Sequence, residues 1–313
     1  MTVVVTSPKE LFHYTTAQGL LGILESNSLR ATDALYMNDA SERQHGKELL
    51  HIVMTNEAKH SRSSVFKKYC EATELFVNQF PPFGAYVFCL TTHRNQLSQW
   101  RAYAANGGYS IGFHVDKLRT LLREKHLGGD LFKAEGLYKV IYHSNIQTEL
   151  LKKAIQESFV MYMNEEVTKR SKITLHRLTC VIEGRDENHE LEDFLNHISD
   201  FYIKTQQHFS TFKHPAYEEE SEWRIVRSRS PLLGSKPVPL GFRPSADFLI
   251  PYCFIAPKGK DRLPISSITI GPREHPGLSV SAVEEALKAF GYARPAVAVF
   301  DSQIPLRQTK IFT

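Results

Sequence analysis

Polar and apolar residues begin to alternate at the end of Tyr217-Glu-Glu-Glu-Ser-Glu-Trp-Arg-Ile-Val226, where an acidic run passes into a strand pattern. Strand side chains point to opposite faces in turn, so Glu220, Glu222 and Arg224 are expected on one face, with Trp223 and Ile225 on the other, toward a core. Two carboxylates on one face repel, which raises the pKa of at least one, while the arginine beyond holds the other ionised. A solvated acidic edge strand with one ion pair has the same pattern. Near the start of the chain, Leu11-Phe-His-Tyr-Thr-Thr16 reads as a short strand, with His13 and Thr15 on one face and Phe12 and Tyr14 on the other.

A helix follows. Thr15 or Thr16 caps it, Leu20, Leu21, Ile23 and Leu24 form its apolar stripe, and Asn27 and Ser28 stop it. Asn38 or Asp39 caps a second helix whose first turn holds Glu42. The pattern stays helical from 43 to about 80 and ends at Pro81-Pro82. A buried strand is predicted over 84–92, and a short helix over 95–105 carries Trp100 and Tyr103 three apart on one side. Asn106-Gly107-Gly108 supplies a left-handed stop before a strand over 109–115. Residues 116–210 are mostly helical and charged, with long helices over 145–169 and 190–208, a polar loop over 183–188 and a strand over 137–143. Strands over 248–256, 265–271 and 296–300, with a helix over 281–290, complete an α+β outline. The domain reading is a core of residues 1–115 and 211–313 interrupted by a helical insertion over 116–210.

Composition adds little to this pattern. No apolar run among the 313 residues approaches the roughly 20 needed to cross a bilayer, and Met-Thr-Val-Val-Val-Thr lacks the features of a leader, so a cytoplasmic protein without membrane contact is expected. Cys70, Cys89, Cys180 and Cys253 form no CxxC and are expected to be reduced core thiols. The formal charge of +4 permits contact with a polyanion without demanding it. There is no GxGxxG after a strand, no GxxxxGK[ST] and no HExxH. No two of the 14 histidines lie three or four apart, so no metal is expected.

Several short motifs remain. They are His13-Tyr-Thr followed by Leu20-Leu-Gly-Ile-Leu, Met37-Asn-Asp-x-x-Glu42, and Trp100-x-x-Tyr103-Ala with Gly108-Tyr-Ser-Ile-Gly-Phe. Glu220-x-Glu222-Trp-Arg224, Ile270-Gly-Pro and Ser302-x-Ile-Pro-x-Arg307 follow. In this order they resemble a bacterial family catalogued only as a domain of unknown function. That family in turn looks like a branch of the ADP-ribosyltransferase-like superfamily, close to the DarT-type toxins that modify DNA. The resemblance implies an ADP-ribosyltransferase-like split mixed or antiparallel sheet core carrying the helical insertion.

It also implies a chemistry. NAD would be the ADP-ribose donor, with His13 and Thr15 contacting its ribose and nicotinamide ends, Asn38, Asp39, Trp100 and Tyr103 completing its site, and Glu222 holding the 2′-hydroxyl of the nicotinamide ribose. Glu220 matches the extra glutamate of the Glu-x-Glu variant, and Glu42, Arg43 and Arg224 would face the acceptor. The chain departs from the pattern at the second-motif tyrosine, for which Tyr36, Tyr86 and Tyr103 compete, and at Gly19, where DarT-type proteins have asparagine. Breaking a ribose–nicotinamide bond passes through an oxocarbenium-like state that a nearby carboxylate stabilises. The expected function is therefore NAD-dependent ADP-ribosyl transfer to a macromolecule, nucleic acid (RNA or DNA) before protein, in a toxin or phage-defence setting with an antitoxin or chaperone as partner. The rival readings are an NAD glycohydrolase and a non-catalytic module that binds a nucleotide or a partner.

Overall fold

Short apolar strands interleaved with helices give a mixed α/β fold built on one open, mixed sheet. The computed structural model describes residues 7–37, 40–79, 85–104, 107–123, 135–168, 179–180, 182–185, 194, 198, 201, 205, 208–228, 239–245, 247–292 and 296–305. The strands are β1 (Glu10–Thr15), β2 (Leu29–Asp33), β3 (Ala85–Thr91), β4 (Tyr109–His114), β5 (Glu135–Lys139), β6 (Glu222–Ser228), β7 (Leu240–Pro244), β8 (Leu249–Ile255), β9 (Ile265–Ile270) and β10 (Ala298–Asp301). The helices are α1 (Ala17–Ser26), α2 (Ala40–His60), α3 (Ser64–Gln79), α4 (Leu97–Tyr103), α5 (Val115–Arg123), α6 (Ser144–Thr168) and α7 (Pro276–Ala289). No described helix is long and apolar enough to cross a membrane.

The sheet forks at β3. Its whole length pairs antiparallel with β6, from Ala85 opposite Ser228 to Thr91 opposite Glu222. A strand has two edges, so β1 and β2 must share the other one. β1 pairs there only at Thr91, opposite Phe12, and β2 only at Tyr86 and Val87, opposite Asp33 and Thr32. Between these contacts Phe88, Cys89 and Leu90 have neither strand as a partner. From the fork one leaf runs β1-β4-β9-β10 and the other β2-β8-β7, while β5 extends the β6 side. Among the described strands, β9 and β10 alone pair in parallel.

Two large apolar clusters hold the molecule. The first lies on one face of the sheet, where Leu11, Phe88, Leu90, Ile111, Phe113, Trp223, Ile225, Ile255 and Ile268 meet α1, α5 and α7. The second lies among helices, with Leu50, Met54, Tyr69, Phe76, Leu151, Ile155 and Tyr162 at its centre. Phe194, Ile198 and Phe201 join it, and their spacing of four and three puts them on one face of the helix expected over 190–208. The helical body therefore draws α2 and α3 from before residue 80 as well as α6, whereas α5 and β5 belong with the sheet.

Several boundaries differ from the sequence reading. The helical pattern over 43–80 is two helices, broken at Ser61–Ser63, where the Ser63 hydroxyl accepts from the Phe66 amide at 3.2 Å and caps α3. A serine cap outweighs apolar periodicity that would otherwise continue across the break. Thr16, rather than Thr15, caps α1 by accepting from the Gly19 amide, and Asn27 ends it in the left-handed conformation at φ 47°. Gly107, at φ 82°, supplies the left-handed turn expected after α4.

Candidate active site

The fork opens a cavity of about 250 Å³ floored by β3 and walled by β1 on one side and β2 on the other. Its polar lining is assembled from distant parts of the chain. The β6 alternation points Trp223 and Ile225 into the sheet core and Glu222 and Arg224 into the cavity, as the pattern predicts. Glu220 reaches the same cavity by another route. It is not on the strand: Pro215–Glu220 is a 3-10 turn, and Ser221 at φ 43° reverses the chain before β6 begins. The alternation argument fails there because a left-handed residue breaks the period of two.

Glu222 is 5 % exposed and fully engaged. Its Oε1 accepts from Arg224 Nε at 2.8 Å, and its Oε2 accepts from Arg224 Nη2 and from Lys213 Nζ, each at 3.0 Å. Lys213 Nζ also donates to Glu220 Oε2 at 2.9 Å. Lys213 therefore bridges the two carboxylates, in place of the bare repulsion expected from sequence. Burial alone would raise the Glu222 carboxyl, but the Arg224 guanidinium and then Lys213 override it and hold the group down at about 2, with the Cys89 thiol as a further donor. Arg224 is 2 % exposed and also donates to the Ser210 carbonyl at 3.0 Å. It lines the cavity as a charge partner buried with Glu222. An arginine two residues from a glutamate on one strand face meets that glutamate first.

His13, on β1, also lines the cavity and packs on Phe88 with ring centroids 4.2 Å apart and planes tilted by 31°. Its Nδ1 lies 2.9 Å from the Cys89 carbonyl oxygen, and a carbonyl only accepts, so Nδ1 carries the proton and Nε2 is left as an acceptor. Burial lowers this imidazole to about 4, against the opposing pull of that carbonyl, so it is neutral at ordinary pH. His13 can accept a hydrogen bond from a ligand hydroxyl.

The other expected residues divide. Tyr103 lines the cavity and is 45 % exposed, and partial burial followed by the Glu220 charge pushes its phenol up to about 12. Trp100 does not line the cavity. It is 3 % exposed, packs edge-on against Tyr14 at 4.6 Å, and donates from Nε1 to Asn95 Oδ1 at 2.8 Å. A helical spacing of three turns a side chain by about 60° from its partner, enough to separate a core face from a cavity rim. Thr15 shares the His13 face but lies against α1, where a Cβ built on Gly19 would meet its Oγ1 at 2.0 Å. The space for an asparagine at position 19 is thus taken by Thr15. Asn38 and Asp39 fall outside the described residues, as do the side chains of Glu42 and Arg43. Among the described residues no group of three or more His, Cys, Asp or Glu is placed to hold a metal ion.

A family model described as Protein of unknown function (DUF2971) matches residues 99–225. This DUF2971 span runs from α4 into β6 and holds Tyr103, Lys213, Glu220, Glu222 and Arg224, while His13 and β2 lie outside it. No curated protein and no solved structure matches the chain.

Sequence reasoning missed Lys213, Cys89, Arg30 and Arg243, all of which line the cavity. Lys213 is placed by a bridge between Ile141 and Phe212 and by Gln147 Nε2, which donates to the carbonyls of Ile141 and Lys213 at 2.6 and 3.1 Å. None of these contacts has a local sequence signal. Arg30 was legible in principle, because a charged residue between Leu29 and Ala31 on an apolar strand must face away from the core.

Proposed function

We propose that the chain is an NAD-dependent ADP-ribosyltransferase whose forked sheet is the ADP-ribosyltransferase-like split core. It breaks the ribose–nicotinamide bond and passes ADP-ribose to a macromolecule, nucleic acid before protein, as a toxin or phage-defence enzyme. The observation that carries this reading is that a buried, ionised Glu222 and a neutral His13, with Nε2 left as an acceptor, line the same cavity. Such a pair suits a ribose: Glu222 accepts from one hydroxyl by displacing the Cys89 thiol, the weakest of its donors, and His13 Nε2 accepts from another. As the glycosidic bond breaks, its electron pair leaves with nicotinamide, and positive charge grows on the ribose beside a carboxylate fixed in a water-poor site. The acceptor attacks that carbon and gives its proton to Glu220.

The cavity fits one end of NAD, since about 250 Å³ suits a nucleoside-sized group rather than a dinucleotide. The remainder would follow the mouth, where Arg30 and Arg243 offer cations to the diphosphate. Beside that mouth the exposed Tyr36 and Phe248 rings lie 6.4 Å apart, a surface on which a nucleic-acid base can stack.

The test is incubation with labelled NAD and separated RNA, DNA and protein, with nicotinamide followed in the same tubes. Label on nucleic acid with matching nicotinamide release is the expected result. Label on protein alone would overturn the acceptor, free ADP-ribose without labelled macromolecule would make the chain a glycohydrolase, and no nicotinamide release would remove the enzyme reading.

Proton inventory gives a further expectation. The site needs His13 neutral and Glu222 charged, and protonation of His13 begins only near 4. Nicotinamide release should therefore hold steady as pH falls from about 8 to about 5, where an ordinary histidine would titrate near 6.5. A rate halved by about pH 6.5 would show that His13 is not held neutral as described.

A further inference from the structure

A second cavity, of about 450 Å³, lies between α5, the loop from β8 to β9 and the segment leading into β10, and its lining shares no residue with the cleft at the fork. Lys117, Lys258, Arg262 and His114 line it, against Asp261 as the only carboxylate among the described lining residues. Leu121, Leu263 and Val297 give it an apolar wall. The arrangement is fastened in place. Asn27, at the end of α1, donates from Nδ2 to the Asp261 carbonyl at 2.8 Å, while its Oδ1 accepts from the Leu263 amide at 3.0 Å and from the Tyr292 hydroxyl at 3.2 Å. One side chain thus ties the cation-bearing loop to the segment after α7. The Arg262 guanidinium lies over the Tyr292 ring, 5.9 Å from its centroid, and close to Gly291. At Gly291 a Cβ would meet Arg262 Nη2 at 2.9 Å, and the φ of +77° also favours glycine.

Cations held by a fixed loop around a half-apolar hollow have the donor set for phosphate oxygens and the wall for a flat heterocycle. We infer that this cavity binds a nucleoside phosphate, with the phosphates on Lys117, Lys258 and Arg262 and the base against Leu121, Leu263 and Val297. The site stands apart from the transferase reading, because occupancy is measured without turnover.

The probe is ADP, titrated calorimetrically into the full chain. ADP is expected to bind, and Lys117→Glu/Arg262→Glu to weaken this binding by about tenfold or more, corresponding to about 1.4 kcal/mol. Arg243→Ala, at the mouth of the other cavity, should remove only ADP bound at the fork and leave the binding that depends on Lys117 and Arg262 in place. Pyrophosphate and adenosine should each bind more weakly than ADP. Lys117 and Arg262 are exposed, so the double variant should melt with the parent; if it does not, Lys117→Glu alone carries the test, with a smaller loss in the same direction. No ADP binding, binding indifferent to the charge reversals, or binding lost only in Arg243→Ala would overturn the site. Pyrophosphate binding as tightly as ADP would overturn its assignment to a nucleoside.

Discussion

Glu222→Gln is expected to cut nicotinamide release by about 10²–10³-fold at saturating NAD while leaving the shape of the cleft unchanged. The substitution keeps volume and removes the charge that, in the proposed reaction, stabilises the developing oxocarbenium ion. It also turns an amide N–H₂ toward Arg224 or Lys213, where three donated hydrogen bonds now converge on the carboxylate. Leaving buried cations without their counter-charge costs about 3–5 kcal/mol, so stability must be followed beside rate. The comparison belongs at a temperature where urea titration shows the variant fully folded. A folded variant releasing nicotinamide within about tenfold of the parent would remove Glu222 from the chemistry.

Arg224→Met should act on the same pair from the other side, and its signature is a pH dependence. In the parent the Glu222 carboxyl is depressed from 4.5 to about 2, so the charged pair stabilises the fold fully above about 4.5, and this contribution is lost as pH falls toward 2. Without the guanidinium, burial is opposed only by Lys213 and the Cys89 thiol, and the carboxyl rises. The variant should be less stable than the parent by about 3–5 kcal/mol near neutrality. The gap should narrow as acid protonates Glu222, because a neutral carboxyl needs no counter-charge. Urea unfolding at neutral and mildly acid pH measures both. A gap that stays constant with pH would mean that Arg224 contributes packing and hydrogen bonds rather than charge.

Much of the fold was legible where local rules act alone. The alternation in β1 and β6, the apolar run of β3 and the turn at Gly107 all read correctly, because each depends on a strand period or a backbone conformation. The break between α2 and α3 was lost because a serine cap interrupts a stripe that continues on both sides. Within the cavity, Glu222 and His13 were visible as polar residues on otherwise apolar strands. Trp100 was misplaced because three residues along a helix share a side only roughly. Lys213 was invisible, since it is carried to the carboxylates by Gln147 and Ile141, more than 60 residues earlier in the chain, and no periodicity encodes such a contact.

The strand order of the sheet also determines when the cleft can exist during synthesis. Its floor, β3, is complete by residue 91, but the edge bearing Glu222 is added only after the helices between β5 and β6, and β2 gains its outer neighbour only with β8. These pairings join residues at least 131 and at least 220 positions apart, and such non-local closure is slow and follows the local helices. On a ribosome that releases the chain from its N-terminus, the helical body and the β1–β4 pair can form while β7 and β8, the outer strands of the leaf that carries β2, are still untranslated. The proposed activity would thus be a late product of translation, and a chain truncated between β6 and β8 would carry Glu222 while β2 still lacks its outer neighbour.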